Sequence, residues 1–316
     1  MRIITLFIIY CLILGSSFAD SKRSIQGLYS SYLKGLFQAE SGLYDESLAY
    51  LEEARKRNAE SSHIRLKIAS ILIRQGEIKK AEKELLIAKD IDPQGIDASL
   101  ALIFLYSYTQ RDEDLEIEYE DFLKRSYQNK PEDLRVSEYL AQFYFYKDRI
   151  PESLEIYKKI VSDNPDYVDA IFWLGYLYEE VGKVSEAVSI WEKGLAVEPD
   201  NAPILNSLGY TYAEQGQNLD TAEEMIKKAL AKEPDNGAYL DSLGWLYFQK
   251  KNYKQAEDYL KRAAFALKDP IVYEHLGDLY AALNKRAEAI QYYNEGLKYF
   301  PDSLTLQEKV KKYEQQ

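Results

Sequence analysis

The chain has few cysteines and histidines, the side chains that most often act as nucleophiles or bind transition metals. Its 316 residues include one cysteine, Cys11, and two histidines, His63 and His275. Neither histidine has a second ligand at a metal-binding spacing, and no glycine-rich phosphate loop or serine nucleophile elbow is present. Carboxylates and serines are plentiful, but no spacing singles out a catalytic pair. We therefore predict that the protein is not an enzyme and has no metal site and no cofactor.

The N-terminal segment has the pattern of a secretory signal peptide. An apolar run of twelve residues, from Ile3 to Leu14, is followed by a mostly small stretch that ends at Ala19. This pattern predicts a signal peptide at 1–19, cleaved after Ala19, and a short leader at 20–27. The run is shorter than the ~20 residues of a membrane-spanning helix, so an uncleaved anchor is the weaker alternative.

Cys11 could instead carry the lipid of a bacterial lipoprotein, but that chemistry needs a small preceding residue, and Tyr10 precedes it. Removal of the signal peptide leaves a mature chain without a thiol, which excludes disulfides and cysteine nucleophiles. No Asn-x-Ser/Thr acceptor occurs, which favours a bacterial periplasm over a eukaryotic secretory lumen. We expect an exported protein, periplasmic or associated with the outer membrane, with no transmembrane segment in the mature chain.

The composition indicates a folded and acidic protein. Hydrophobic residues make up 46% of the chain and 28 residues are tyrosines, which is too apolar for a disordered chain. The formal net charge is -12, and an acidic chain repels phosphate backbones. We therefore predict no nucleic-acid partner.

A pattern with a period near 34 residues covers nearly all of the mature chain. The stretch LDSLGWLYFQKKNYKQA contains Gly244 and, later, Ala256, and the same relation recurs upstream and downstream. We divide the array at 28–303 into eight units, of which the third is irregular, and expect a capping helix at 304–316. The units are 28–61, 62–95, 96–133, 134–167, 168–201, 202–236, 237–269 and 270–303.

The repeated residues resemble those of the tetratricopeptide repeat (TPR). In the fifth unit, the Leu-Gly-x-x-Tyr motif of that family corresponds to Leu174, Gly175 and Tyr178, and its later alanine and closing proline correspond to Ala187 and Pro199. The resemblance implies an all-α protein, a right-handed α-solenoid of about eight helical hairpins.

The residue types fit two antiparallel helices, A and B, that cross closely in each unit. Position 8 in helix A and position 20 in helix B are small in seven units. The close contact has to offset the ~1 kcal/mol that a glycine costs in the middle of a helix. A proline after helix B ends it. Position 8 is Gly35, Ala69, Ala141, Gly175, Gly209, Gly244 and Gly277; position 20 is Ser47, Ala81, Ser153, Ala187, Ala222, Ala256 and Ala289; the prolines are Pro93, Pro165, Pro199, Pro234 and Pro301.

The third unit departs from this pattern. It has Ile103, Leu115 and Phe122 where its neighbours have small residues, so we expect its helices to stand further apart. Its helix A is apolar nearly all round, which fits either a degenerate repeat buried between its neighbours or a bend that leaves a hydrophobic binding surface. We interpret the run DEDLEIEYED at 112–121 as a helix with a solvated acidic face and not as a calcium site, because it has no EF-hand glycine loop.

The resemblance also implies a concave wall, built mainly by the A helices, that holds extended peptides. Aromatic and amide groups on such a wall bind a peptide by stacking and by hydrogen bonds to its backbone. The lysines and arginines of a carboxylate clamp are missing from the wall positions, and the chain is acidic, so we expect apolar or aromatic segments with neutral or basic flanks. The predicted contact residues are Tyr29, Tyr32, Phe104, Tyr108, Gln142, Phe145, Tyr146, Phe172, Tyr176, Asn206, Tyr210, Asp241, Trp245 and Phe248, with Glu179 as a further polar companion.

We expect a non-catalytic adaptor or scaffold that binds other proteins or peptides of the cell envelope. The region 204–301 resembles the C-terminal part of bacterial envelope tetratricopeptide proteins, some of which deliver substrates to a periplasmic processing protease. A periplasmic protease or an envelope complex is therefore the expected partner. The sequence leaves two alternatives open: a structural subunit of an envelope-assembly or polysaccharide-export complex and, ranked lower, an enzyme with an unrecognised carboxylate site.

Overall fold

The computed structural model describes residues 24–315. The predicted signal peptide, residues 20–23 of the predicted leader and Gln316 lie outside this range. Over the described range, no helix combines the length and the apolar character that crossing a bilayer requires.

Residues 24–315 fold into helices without any strand, so the predicted all-α fold is confirmed. Seventeen helices follow one another as eight pairs, each joined by a short turn, and one final helix. The first helix, α1, covers 24–40 and includes residues 24–27, which the sequence pattern places in the leader. The others are α2 Tyr44–Arg57, α3 Ser62–Arg74, α4 Ile78–Ile91, α5 Asp97–Tyr108, α6 Asp112–Asn129, α7 Leu134–Tyr146, α8 Ile150–Asp163, α9 Val168–Glu180, α10 Val184–Val197, α11 Ala202–Glu214, α12 Leu219–Lys232, α13 Gly237–Gln249, α14 Tyr253–Ala266, α15 Pro270–Ala282, α16 Arg286–Tyr299 and α17 Leu304–Glu314.

The turn inside each pair contains one residue in the left-handed region of backbone space. Glycine adopts this conformation without a steric penalty, whereas other residues are strained in it. The sixth pair has a second such residue, Asn218, in the turn where its unit is one residue longer. The eight equivalent residues are Gly42, Gly76, Gln110, Asp148, Gly182, Gly216, Lys251 and Asn284, with φ between 54° and 76°.

Prolines end the second helix of five pairs, as the sequence predicts. For example, α10 ends at Val197, two residues before Pro199, because proline disfavours a helical conformation in the residue before it. The next helix then begins at a side-chain cap. Asn201 accepts a hydrogen bond from the backbone nitrogen of Ile204 at 3.2 Å, which satisfies a donor that the helix itself leaves unpaired.

The glycines at position 8 lie where the second helix of a pair packs across the first, as predicted. A Cβ atom on Gly244 would lie 2.7 Å from Leu260 Cγ and 3.0 Å from the Leu260 backbone nitrogen. On Gly175 it would overlap the Trp191 ring. The other glycines of this position are covered in the same way, Gly35 by Leu51, Gly209 by Ile226 and Gly277 by Tyr293.

Backbone contacts divide the chain into two compact units, at 1–140 and 141–316. In the described part of the N-terminal unit, helices α1 to α6 surround a mostly aliphatic core. Glu84 is buried and links α4 to two other helices, because it accepts hydrogen bonds from Arg55 at 2.8 Å and from Arg65 at 2.7 Å. The large side chains that are fully buried in this core are Leu51, Ile68, Leu85, Leu102 and Leu105.

In the third pair, the backbones of α5 and α6 approach each other closely over a shorter stretch than those of α3 and α4, in agreement with the bulky side chains of this pair. The acidic run forms part of α6, so its predicted helix is confirmed. The predicted solvated face is wrong for Glu118, which is 5% exposed and accepts a hydrogen bond from Lys89 Nζ at 2.8 Å. Lys89 on α4 also pairs with Asp121 at 2.7 Å, so the preceding pair neutralises part of this face.

In the C-terminal unit, helices α9, α11 and α13 each pack against the second helix of their own pair and against the first helix of the next pair. The side chains of Trp191, Ile204 and Tyr273 are fully buried between these layers. The last helix, α17, covers the final pair with Leu306, which is completely buried. Lys309 on α17 pairs with Asp278 at 2.6 Å.

Candidate functional site

The first helices of the C-terminal unit form a wall that contains a cleft of about 280 Å³. Helices α9, α11, α13 and α15 are adjacent, and the period of about 34 residues places equivalent side chains in rows across them. The cleft is lined by Tyr176, Glu179, Glu180, Asn206, Ser207, Tyr210, Ala238, Asp241, Ser242, Leu267, Asp269, Ile271 and Val272.

Asp241 connects the cleft to a buried ion pair. His275 Nδ1 lies 3.0 Å from both carboxylate oxygens of Asp241, and the two residues are 5% and 6% exposed. The His275 ring stacks on Trp245 with ring centroids 4.0 Å apart, and the Trp245 indole nitrogen donates to the Glu214 carboxylate. Burial by itself lowers the pKa of His275, but the charge and hydrogen bond of Asp241, with the charges of Glu214 and Glu274, outweigh burial and raise the pKa.

Three other carboxylates at this wall have neutral neighbours. Glu179 accepts a hydrogen bond from the Thr211 hydroxyl at 2.8 Å, and Glu214 accepts one from the indole described above. Glu180 lies near the Tyr176 hydroxyl, and its charge helps to raise the pKa of that tyrosine, which burial raises most. Burial raises the pKa of Glu179 against the opposing hydrogen bond of Thr211, and the charges of Glu180 and Glu214 raise it further. The wall is therefore strongly acidic.

Four of the predicted contact residues line the cleft, namely Tyr176, Asn206, Tyr210 and Asp241. Trp245 and Phe248 do not line it. Trp245 is 9% exposed and is stacked between Phe248, at 4.6 Å, and His275.

Of the remaining predicted residues of the C-terminal unit, Phe145, Tyr146 and Phe172 belong to an aromatic cluster around Trp173. Phe145 lies 5.4 Å from the Trp173 ring and 5.6 Å from that of Tyr176, and Phe172 lies 5.8 Å from Trp173. Gln142 is half-buried, and Tyr146 is 75% exposed. A ligand can reach Tyr146 directly, whereas Phe145 and Phe172 also contribute to packing.

In the N-terminal unit, Tyr29 and Tyr32 line a separate cleft of about 350 Å³ with Leu28, Asn58, Ser61, His63 and Ile64. Phe104 and Tyr108 lie on α5, where they are 62% and 70% exposed and stack with their ring centroids 6.3 Å apart. The opposite face of α5 is buried through Leu102 and Leu105. The buried face fits the first alternative for the irregular unit, and the second alternative, a bend with a binding surface, stays a prediction.

Sequence reasoning did not single out Glu180, His275 or Trp173. For His275 a signal was available, because it follows Asp241 by 34 residues, which is one repeat, and equivalent positions of successive repeats are neighbours. Across residues 24–315, no three His, Cys, Asp or Glu side chains are placed to share a metal ion.

Comparison with protein families gives three matches to the tetratricopeptide repeat. The matched residues are 38–106, 206–270 and 270–303, and together they span just over half of the chain. A search of curated proteins gives no match.

Solved structures with this fold include a thermophilic TPR protein of Thermus thermophilus, which is 20% identical over 58% of this chain and 99% of its own, with a TM-score of 0.52. The APC/C hetero-tetramer Cut9–Hcn1 is 18% identical over 85% of this chain and 52% of its own, with a TM-score of 0.56. The structure of Naa15/Naa10 bound to HypK-THB is 15% identical over 92% and 50%, with a TM-score of 0.52. This chain spans about half the length of the last two, and at these identities the likeness concerns the fold alone.

Proposed function

The chain is a tetratricopeptide repeat protein, and from this premise we propose that it is a non-catalytic adaptor exported to the bacterial cell envelope. Tetratricopeptide arrays are scaffolds for protein–protein interaction. In the proposed role, the wall of first helices in the C-terminal unit holds an extended segment of another envelope protein, either a periplasmic protease or a member of an envelope complex.

The cleft on this wall is the observation that carries the proposal. Side chains from the first helices of four successive pairs line it, together with the segment that leads into α15, so a bound segment contacts several repeats at once. The lining combines tyrosine rings with amide, hydroxyl and carboxylate groups, which suits stacking and backbone hydrogen bonds to a peptide. The helices that present these groups are held by a packed core, so little order has to be gained on binding.

Export is proposed from the sequence of the segment outside the described residues. Its apolar run and the small residues before Asp20 support cleavage after Ala19. Mass spectrometry of the protein purified from its native cell tests this directly. A mature N-terminus at Asp20 in the periplasmic or outer-membrane fraction is expected, whereas an intact N-terminus in the cytoplasmic fraction would contradict export.

The binding role is tested by placing a bulky side chain in the cleft without removing any buried side chain. Ala238 lines the cleft, is exposed, and is the second residue of α13. Ala287 is also exposed and is the second residue of α16, a second helix of its pair. In affinity purification from the periplasmic fraction, Ala238→Trp should lose the partner that the wild-type protein retains, and Ala287→Trp should keep it. Equal recovery with both variants would sink this assignment of the site.

A further inference from the structure

The carboxylates of the cleft wall are not neutralised by cations of the protein. Glu179 and Glu214 accept hydrogen bonds from a hydroxyl and an indole group, and the group near Glu180 is the Tyr176 hydroxyl. Within residues 24–315, no Lys, Arg or His nitrogen lies within 4.0 Å of these three carboxylates. By contrast, Asp241 pairs with His275. Like charges in a partly buried site repel one another more strongly than in water, so a positively charged ligand would relieve this repulsion and an anionic ligand would increase it.

The other polar groups of the cleft also suit a cationic hydrogen-bond donor. Asn206 Oδ1 is shielded from solvent and has no hydrogen-bond partner among the described residues. A buried acceptor without a partner lowers stability, so a ligand that donates a hydrogen bond to it removes that penalty. Tyr176 and Tyr210, which line the same cleft, carry the π-systems on which cationic groups stack.

The volume of the cleft distinguishes between classes of cation. About 280 Å³ is slightly below the ~300–1,000 Å³ of pockets that enclose a whole small molecule, which suits one side chain of a longer ligand. A divalent metal ion does not fit the arrangement, because over the described range no three ligand side chains are placed to share one.

We propose that the cleft binds a basic side chain, arginine or lysine, of the extended partner segment, with its charged end against Glu179 and Glu180. This inference rests on the proposed protein-binding role of the same cleft and specifies the chemistry of the partner. Arginine is the better ligand of the two, because its planar fork donates to several carboxylates at once and stacks on tyrosine rings.

The test uses a display library of random heptapeptides selected on the full chain. The library is selected in parallel on Glu179→Gln/Glu180→Gln and on a control, Glu186→Gln/Glu224→Gln. The control removes the same number of charges from exposed positions on α10 and α12 that have no ion pair in the described structure. The best selected peptide is then measured by fluorescence anisotropy, alongside the same peptide with its basic residue replaced by glutamine. Matching thermal midpoints check that the variants are folded.

The wild-type and control proteins should select peptides with arginine or lysine at one fixed position. The cleft variant should weaken binding of the best peptide more than tenfold, and so should the change to glutamine in the peptide, which leaves the protein unaltered. Selected peptides without a fixed basic residue, or weakening of less than twofold, would overturn this inference. In that case, loss of binding with Ala238→Trp would still uphold the proposed function. Failure to select any peptide, or binding that Ala238→Trp leaves unchanged, would overturn both.

Discussion

Gly244 lies in the middle of α13, where glycine costs ~1 kcal/mol of helix propensity relative to alanine. Leu260 of α14 occupies the space next to its Cα, with the Leu260 backbone nitrogen 3.0 Å from where a Cβ would be. Propensity and packing therefore predict opposite signs for an added methyl group. Since overpacking a core costs ~1–3 kcal/mol and the backbone cannot move aside cheaply, the packing effect should win.

We predict that Gly244→Ala lowers the free energy of unfolding by up to ~2 kcal/mol, seen as a lower thermal midpoint of the full chain. The control is Ala238→Gly, an exposed site on the same helix. It removes a methyl group without opening a packed contact and should cost only the ~1 kcal/mol of helix propensity. A higher thermal midpoint for Gly244→Ala would show that the two helices do not cross as closely as described.

The buried pair of His275 and Asp241 predicts a pH dependence of stability. The charged groups that face the ring are Asp241 on α13, Glu214 on α11 and Glu274 on α15. Because they raise the native pKa of His275 above its unfolded value of ~6.5, the native state binds the proton more tightly. The resulting stabilisation is complete below pH ~6.5 and is lost as the pH rises through the native pKa.

Between pH 6 and pH 9, the thermal midpoint of the wild-type protein should therefore fall by more than that of His275→Gln. His63→Gln, the matched control in the N-terminal unit, should follow the wild-type curve. Differential scanning fluorimetry across this range measures all three proteins. Parallel curves for wild type and His275→Gln would contradict the charged pair.

The residues of the cleft show how far a repeat pattern predicts a binding site. The register places Tyr176, Asn206 and Tyr210 on the wall, and all three line the cleft. It places Trp245 on the same face, but His275 from the next repeat stacks over that ring and buries it. Periodicity predicts the direction of a side chain, whereas its depth depends on the particular residue that the neighbouring repeat contributes.

At the scale of elements, the backbone conformation of the turn inside each pair affects stability separately from the packing of the core. Lys251 occupies the left-handed position that glycine occupies in four other pairs, and Asn284 occupies it in the last pair. This conformation costs a residue with a Cβ ~1–2 kcal/mol, and asparagine tolerates it better than lysine does.

We predict that Lys251→Gly raises the thermal midpoint and that Asn284→Gly raises it less. The expected gain for Lys251→Gly is ~1 kcal/mol, because the relief of strain exceeds the entropic cost of glycine in the unfolded chain. The order of the two gains is the informative result. A loss of stability on Lys251→Gly would mean that its side chain makes a contact worth more than the strain.

The C-terminal helix α17 acts as a cap on the last pair. Its Leu306 is completely buried and packs beside Gly296, whereas Leu304, two residues earlier, is 72% exposed. Leu306→Ala should cost ~2–4 kcal/mol, because it opens a cavity, and Leu304→Ala should cost less than ~0.5 kcal/mol. Thermal midpoints of the two variants compare the same substitution inside and outside the core. Equal midpoints would show that α17 does not cap the array.

The sequence predicts most of the helices but not which side chains of each helix are exposed to solvent. Closing prolines such as Pro199 fix the ends of second helices, because proline excludes helical backbone before it. The acidic run of α6 is helical as predicted, yet Glu118 is buried against Lys89. Those two residues lie in neighbouring units of the pattern. The sequence of a single helix does not show which of its charged side chains pair with another helix.

At the scale of the whole molecule, the repeat pattern predicts the all-α fold and the family, because one short unit accounts for nearly the whole chain. The identity of a partner depends on a few side chains that vary between repeats and so leave no periodic signal. Each compact unit has its own cleft, and the C-terminal one combines aromatic, amide and unneutralised carboxylate groups. For that reason we place the partner-binding site in the C-terminal unit.

The most direct test of that placement is site-specific photo-crosslinking in the native cell. A photoreactive amino acid is introduced at Ala238, in the cleft, or at Ala287, outside it, and the products are separated after irradiation. A discrete crosslinked polypeptide is expected from position 238 and none from position 287. No product from position 238, or the same products from both positions, would contradict a role in binding other proteins through this wall.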